Sequence, residues 1–397
     1  MSLTRRRLFQ QLGVVGTAPF TGEWIAARGR EDAVATGSPE AGQMSASGPK
    51  PIRIASNENP LGPGQHVLDV IVGKFPEAGR YPFNARQQEP ELVKAIGAKF
   101  GVAADHVSLG CGSGEILTNA VRAFCSSSKP LVTAWPSFEN PRDTAQKIGV
   151  PVRAIDLDAN LRIDIDKMVE ASKGAGMVFF CNPNNPTATV HGAAAVADFV
   201  KRVRAASPDT VILLDEAYHD YVTDPNYQSA IDIVKTTPKT FIARTFSKAY
   251  GMAGLRIGYA VGDPALMAEL NRYRMPYSVN LPGIAAAVAG ITNQAHIDAE
   301  RKRNTEVRAF TLRAFEQMGF KATDSQTNFI FVDLKRPAAG FRDACRTAGV
   351  MVGRDFPPYE KTHCRISIGT MEEMQKAVDV FRKVLGAATN TANQAGR

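Results

Sequence analysis

Two short runs, Met177 to Cys181 and Val211 to Leu214, are apolar from end to end, and each stops at a turn-forming or acidic segment. A strand with one wet face alternates apolar and polar residues, so a strand apolar throughout has both faces covered. Similar short, bounded runs are Leu131 to Ala134, Thr240 to Ala243 and Ile257 to Val261. A further strand is read at Val152 to Leu157, with helical stretches at Asn140 to Ile148 and Val190 to Ala205. Strand–helix alternation of this kind predicts an α/β fold, a large domain with a mainly parallel sheet covered by helices. From about Gly290 the pattern changes. A charged helix, Ala295 to Met318, precedes a strand at Phe329 to Asp333, a helix near Gly340 to Ala348, a strand at Arg365 to Ile368 and a last helix at Met371 to Leu385. That order predicts a smaller α+β C-terminal domain.

The boundaries on this reading are a leader at 1–35, a linker at 36–51 rich in Gly, Ser, Ala and Pro, and an arm at 52–80. The large domain then covers 81–290, the small domain 291–388 and a frayed tail 389–397. The leader carries Thr4-Arg5-Arg6-Arg7-Leu8-Phe9 ahead of a weakly apolar stretch, with a small-residue cleavage site at Ala33-Val34-Ala35. That is the pattern of a twin-arginine export signal, which implies the export machinery as partner and a periplasmic address; a basic tail on a cytoplasmic protein is the other reading.

Composition narrows the chemistry. With 44% apolar and 22% charged residues among 397, the chain reads as globular, and no apolar stretch approaches the roughly 18 residues of a membrane span. The net charge of +8 suits anionic small molecules; with no basic run interleaved with aromatics, no nucleic-acid partner is expected. Five dispersed cysteines lack a C-x-x-C and six histidines lack H-E-x-x-H, so neither a disulfide framework nor a metal site is expected. His219 reads as a packing residue.

Chemistry-bearing residues gather where strands end. Thr245-Phe246-Ser247-Lys248 follows one apolar run, and Arg256 stands immediately before the next. A lysine among buried strands loses its proton easily and becomes a nucleophilic amine. Hydroxyls, glycine amides and a guanidinium make a phosphate receptor, and an amine beside one suits an aldehyde-bearing phosphorylated cofactor, pyridoxal phosphate. The same segment also reads as an ordinary strand–turn–strand with a surface lysine. Val107-Ser108-Leu109 leads into Gly110-Cys111-Gly112-Ser113-Gly114-Glu115 and an amphipathic run, a helix N-terminus able to bind an anion though not a P-loop. Asp215, ending another buried run, needs a partner, which a pyridinium N–H would supply. Tyr218 and Asn185 could each hydrogen-bond a phenolate oxygen.

The ordered set N-P-N-N-P-T (182–187), D-E-A-Y (215–218), T-x-S-K (245–248) with Arg256, and R-I-S-I-G (365–369) resembles the fold-type I pyridoxal-phosphate aminotransferases, and most of all their histidinol-phosphate aminotransferase branch. The resemblance covers roughly residues 52–388. It implies that Lys248 holds the cofactor covalently and shuttles protons, and that Asp215 keeps the pyridine nitrogen protonated. It assigns Asn185 and Tyr218 to the phenolic oxygen, and Arg256, Thr245, Ser247, Ser113 and Gly114 to the phosphate. Phe138 would stack on the ring, and Tyr81 would reach the phosphate of a neighbouring subunit, which implies a homodimer with shared sites. Arg365 would grip the substrate's acidic group, Arg354 would help with a substrate phosphate, and the arm at Asn57 would lie over the substrate. Two features depart from the family: Ala188 stands where glycine follows N-P-T, and an export signal is unexpected on a histidine-biosynthesis enzyme. The function expected is amino-group exchange between an amino acid or histidinol phosphate and a 2-oxo acid. Alternatives are a decarboxylase of amino-acid phosphates on the same fold and a non-catalytic exported binding protein, the second disfavoured by the presence of both Lys248 and Asp215.

Overall fold

The structure, a computed structural model, describes residues 50–81 and 90–394. The leader and nearly all of the linker lie outside the described residues. Strands in chain order are β1 (Ile52–Ile54), β2 (Val107–Cys111), β3 (Leu131–Trp135), β4 (Val152–Asp156), β5 (Met177–Cys181), β6 (Val211–Asp215), β7 (Thr240–Thr245), β8 (Ile257–Gly262), β9 (Lys321–Ala322), β10 (Phe329–Asp333), β11 (Val350–Val352) and β12 (His363–Ser367).

Seven of them form one sheet in the order β2-β8-β7-β6-β5-β3-β4. Within it β4, β3, β5, β6 and β7 pair in parallel, whereas β8 runs antiparallel to both β7 and β2. The expected mainly parallel sheet is therefore present, with one reversed strand that makes the lysine turn a connection between antiparallel neighbours. Residues of β5 alternate between two buried clusters, Val178 and Phe180 in one, Met177, Phe179 and Cys181 in the other. That is why the run is apolar throughout: each face packs under its own layer of helices, and each fully buried Phe or Val contributes roughly 1.5–3 kcal/mol of transfer free energy.

A separate three-stranded antiparallel sheet, β12-β10-β9, packs with the helices Gln294–Gln317, Ala338–Thr347 and Met371–Gln394 around a third core. β1 pairs in parallel with β11, Ile52 opposite Val350. The segment expected as an arm thus enters that core through Ile54 before crossing to the large sheet.

Several expectations are corrected. The helix read from Val190 begins at Ala193, because the His191 amide donates to Asn182 Oδ1 at 2.8 Å and Gly192 takes the N-cap. Helices at Ile165–Ala171, Ile231–Thr236, Pro264–Arg272 and Leu281–Ile291 add to the elements read from sequence. The last helix runs to Gln394 rather than fraying after residue 388.

Candidate active site

The parallel strands deliver their C-terminal ends to one edge of the sheet, and a cavity of about 380 Å³ opens there. Such edges are where open α/β sheets bind ligands. Cys181 ends β5, Asp215 ends β6, Thr245 ends β7, and Phe138 and Glu139 follow β3; all line the cavity. Arg365 reaches it from β12, Arg354 from the segment after β11, and Ser56, Asn57 and Glu58 from the crossing segment after β1.

Asp215 is 2% exposed, and its hydrogen-bond donors among the described residues are the Ala217 amide at 3.2 Å and the Cys181 thiol at 3.8 Å. Burial pushes its carboxyl up to about 7. Lys248 points into the same cavity, Nζ 3.2 Å from the Ser56 carbonyl and 5.5 Å from the Tyr218 ring centroid. Its amine is depressed to about 8, first by burial and then by the Arg365 guanidinium. An acid that resists ionising and an amine that readily loses its proton thus line one cavity, the combination that marks proton-transfer sites.

The hydrogen bonds fix polarity as well as position. Tyr218 Oη accepts from Asn57 Nδ2 at 3.0 Å, which leaves the phenol hydrogen for another acceptor. Asn185 Oδ1 accepts from Arg365 at 2.7 Å, which leaves its amide nitrogen as the donor facing the cavity. Arg365 also donates to the Ala55 carbonyl at 2.7 Å, its guanidinium lies 4.6 Å from the Phe356 ring, and its buried Nε has no partner. Burial brings that guanidinium down to about 10, so it stays cationic at neutral pH.

The same cavity holds an anion cradle. Thr245 Oγ1 and Ser247 Oγ are 2.9 Å apart, and Arg256 donates to Ser247 Oγ at 3.3 Å. Ser113 and Gly114 occupy the first turn of the helix Gly112–Phe124, where backbone amides have no intrahelical acceptor and the dipole favours negative charge. The cradle is closed tightly enough that a Cβ on Gly258 would overlap the Gly112–Ser113 backbone and one on Gly112 would meet the Arg256 guanidinium. Arg256 itself adopts φ 58°, a left-handed turn that returns its guanidinium toward Ser247.

Of the residues read from sequence, Lys248, Asp215, Tyr218, Asn185, Arg256, Thr245, Ser247, Ser113, Gly114, Phe138, Arg365, Arg354 and Asn57 all line this one cavity. Tyr81 does not; it is 77% exposed and stacks on Tyr277 with centroids 4.3 Å apart. Asn57, expected over the substrate, is 1% exposed, and both ends of its amide are engaged, by Tyr218 and by Ser367 at 2.8 Å. It holds the phenol in place. Glu58, Glu139 and Cys181 line the cavity without having been picked out beforehand. Cys181 had a signal, since it ends the apolar run before N-P-N-N-P-T; Glu139 had none. His219 faces Tyr227 at 3.1 Å and packs outside the cavity. Among the described residues, no group of three or more His, Cys, Asp or Glu could hold a metal ion.

Because its folded-state carboxyl lies near 7 instead of about 3.9, Asp215 weakens the ligand-free fold as pH rises through that interval. Asp215→Asn should therefore stabilise ligand-free protein by about 2–4 kcal/mol at pH 8, the gain shrinking to nothing as pH falls toward 4. Urea unfolding across that range checks it; a loss of stability at pH 8 would contradict the orphaned-acid geometry.

The donor set fits pyridoxal phosphate: a buried acid lacking a cationic partner, an amine depressed toward neutrality, and a cradle of hydroxyls, helix N-terminal amides and a guanidinium. Comparison with known proteins agrees. Residues 49–381 match the family model for aminotransferase class I and II. The histidinol-phosphate aminotransferase of Moorella thermoacetica is 36% identical over 342 residues, covering 84% of this chain and 85% of its own length. The aromatic amino acid aminotransferase of Nocardia farcinica is 35% identical over 332 residues, covering 82% and 90%. A crystal structure of histidinol-phosphate aminotransferase from Sinorhizobium meliloti in complex with pyridoxal-5'-phosphate superposes with a TM-score of 0.79 at 23% identity, over 90% of this chain and 99% of that one. The chain belongs to the class I and II aminotransferases, and it is a pyridoxal-phosphate-dependent transaminase.

Proposed function

We propose that the chain transfers an amino group from an amino acid with an aromatic or imidazole side chain, or from histidinol phosphate, to a 2-oxo acid, with Lys248 as the proton-moving base. The observation that carries this is one cavity lined by both Lys248, an amine near 8, and Asp215, a buried acid whose donors are one amide and a thiol. When bound, the cofactor supplies an electron sink for the carbon that loses its proton. Asp215 would hold the ring nitrogen, gaining the cationic partner it lacks. Tyr218 and Asn185 each have a hydrogen to give, so both suit the ring's phenolic oxygen. Ser113, Gly114, Thr245, Ser247 and Arg256 would hold the phosphate, and Phe138 would cover a ring face. Arg365, with its unpartnered Nε, suits the donor's acidic group.

With a pKa near 8, Lys248 exists in both protonation states at neutral pH, so one amine can accept a proton and return it. Lys248→Ala should abolish the bound cofactor's visible band at its wild-type position and slow transfer from phenylalanine or histidinol phosphate to 2-oxoglutarate at least roughly a thousandfold. An unchanged rate, or carbon dioxide release without amino transfer, would contradict this reading.

We infer that the protein works as a homodimer. Val72, Phe75, Tyr81 and Met275 are 65%, 58%, 77% and 62% exposed, on two segments that meet where Tyr81 stacks on Tyr277. Large apolar side chains left in water favour a second copy. Sedimentation should give twice the chain mass at micromolar concentration, and Val72→Glu with Phe75→Glu should halve it; a wild-type monomer would overturn the inference.

The residues Arg5-Arg6-Arg7 support a further reading, export by the twin-arginine route. Cell fractionation should find the protein in the periplasm and Arg5→Lys/Arg6→Lys/Arg7→Lys in the cytoplasm; an unaltered distribution would count against it.

A further inference from the structure

Arg354 and Arg365 stand on one aromatic ring. Their guanidinium carbons lie 4.4 and 4.6 Å from the Phe356 centroid, and both side chains line the cavity. Two guanidiniums so placed would grip a ligand with two acidic ends. Their surroundings differ, however. Arg365 meets only neutral oxygens, those of Asn185 and Ala55, and keeps its Nε unpartnered. Arg354 is ion-paired to Glu139 across the cavity mouth, and otherwise donates to the Asp355 carbonyl at 3.2 Å. The neighbouring Asp355 carboxylate is taken by Arg342. Glu139 is therefore the carboxylate that answers Arg354. Its backbone is fixed as the N-cap residue of the helix Asn140–Lys147, directly after Phe138.

We propose that Glu139 is a specificity-determining residue: by occupying Arg354 it leaves the pocket with one arginine open to an anion, so the enzyme favours donors with a single carboxylate over donors carrying a phosphomonoester. A phosphorylated donor that reached Arg354 would have to displace Glu139 and then lie beside the displaced carboxylate, a like-charge contact that selects against it. A donor whose far end is an uncharged aromatic ring leaves the pair intact. This rests on the reading above that Arg365 takes the donor's acidic group.

The test is the donor half-reaction, followed by the absorbance change of the bound cofactor at low salt, with L-phenylalanine and histidinol phosphate separately. The quantity compared is the ratio of their second-order rate constants. Wild type should favour phenylalanine. Glu139→Gln and Glu139→Ala should each shift the ratio roughly tenfold toward histidinol phosphate, the size of a partly screened charge–charge contact. Glu139→Asp, which keeps the charge, should move it much less. Adding Arg354→Gln to Glu139→Gln should cancel the shift, because the newly available cation is gone. A wild type that prefers histidinol phosphate, or a ratio unmoved by both neutral substitutions, overturns the proposal. Failure of wild type to react with either donor would instead refute the donor assignment on which it rests.

Discussion

An aspartate kept dry at the end of β6 is the constraint from which the site follows. Its carboxylate lies where water cannot solvate it, and its neighbours offer one amide and a thiol. A group so placed is a liability to the fold unless a positive hydrogen-bond donor arrives to share the cavity. The protonated ring nitrogen of pyridoxal phosphate is such a donor. Lys248 is the counterpart, an amine whose charge is discouraged by burial and by Arg365. Both costs are relieved when a cofactor of that kind binds, so stability is traded for readiness to bind and react.

Around that pair the fold supplies rigidity from a distance. Directly after Asp215, Glu216 turns the other way and pairs with Arg244 at 2.8 Å, both side chains almost fully buried, with Ser229 Oγ and the Ala230 amide also donating to the carboxylate. The net stability from such a buried pair is modest, but breaking it would leave a bare charge, which ties the β6 and β7 ends together. The segment after β1 does the same between sheets. Asn57 sits at φ 56° and bridges Tyr218 to Ser367, while Asn328 donates to its carbonyl at 3.0 Å. Ala188 holds φ 62° while fully buried, so the turn after N-P-N-N-P-T keeps its left-handed residue despite lacking glycine, at a backbone cost of roughly 1–2 kcal/mol.

What could be seen in the sequence was whatever a local pattern records. The sheet was legible because runs such as Met177 to Cys181 must be covered on both faces, Asp215 because it directly follows such a run, and Lys248 because it lies in the short segment between two of them. Arg365 was legible only through the resemblance of its motif; its contact with Asn185 spans 180 positions. The reversed direction of β8 and the pairing of β1 with β11 were not legible, since strand order depends on long-range packing that no local period encodes. Glu139 was invisible for the same reason. A glutamate after phenylalanine says nothing until the fold brings an arginine 215 positions away to meet it. Tyr81 marks the opposite limit: the motif pattern singles it out, yet within the chain it lies exposed against Tyr277, away from the cavity.

The most direct test of the central claim is a crystal structure of the purified protein loaded with pyridoxal phosphate. The ring nitrogen should lie within hydrogen-bonding distance of Asp215, the phosphate against Ser113, Gly114, Ser247 and Arg256, and continuous density should join the cofactor to Lys248. Cofactor density in another cavity, or a ring turned so that Asp215 and Lys248 face different molecules, would contradict it.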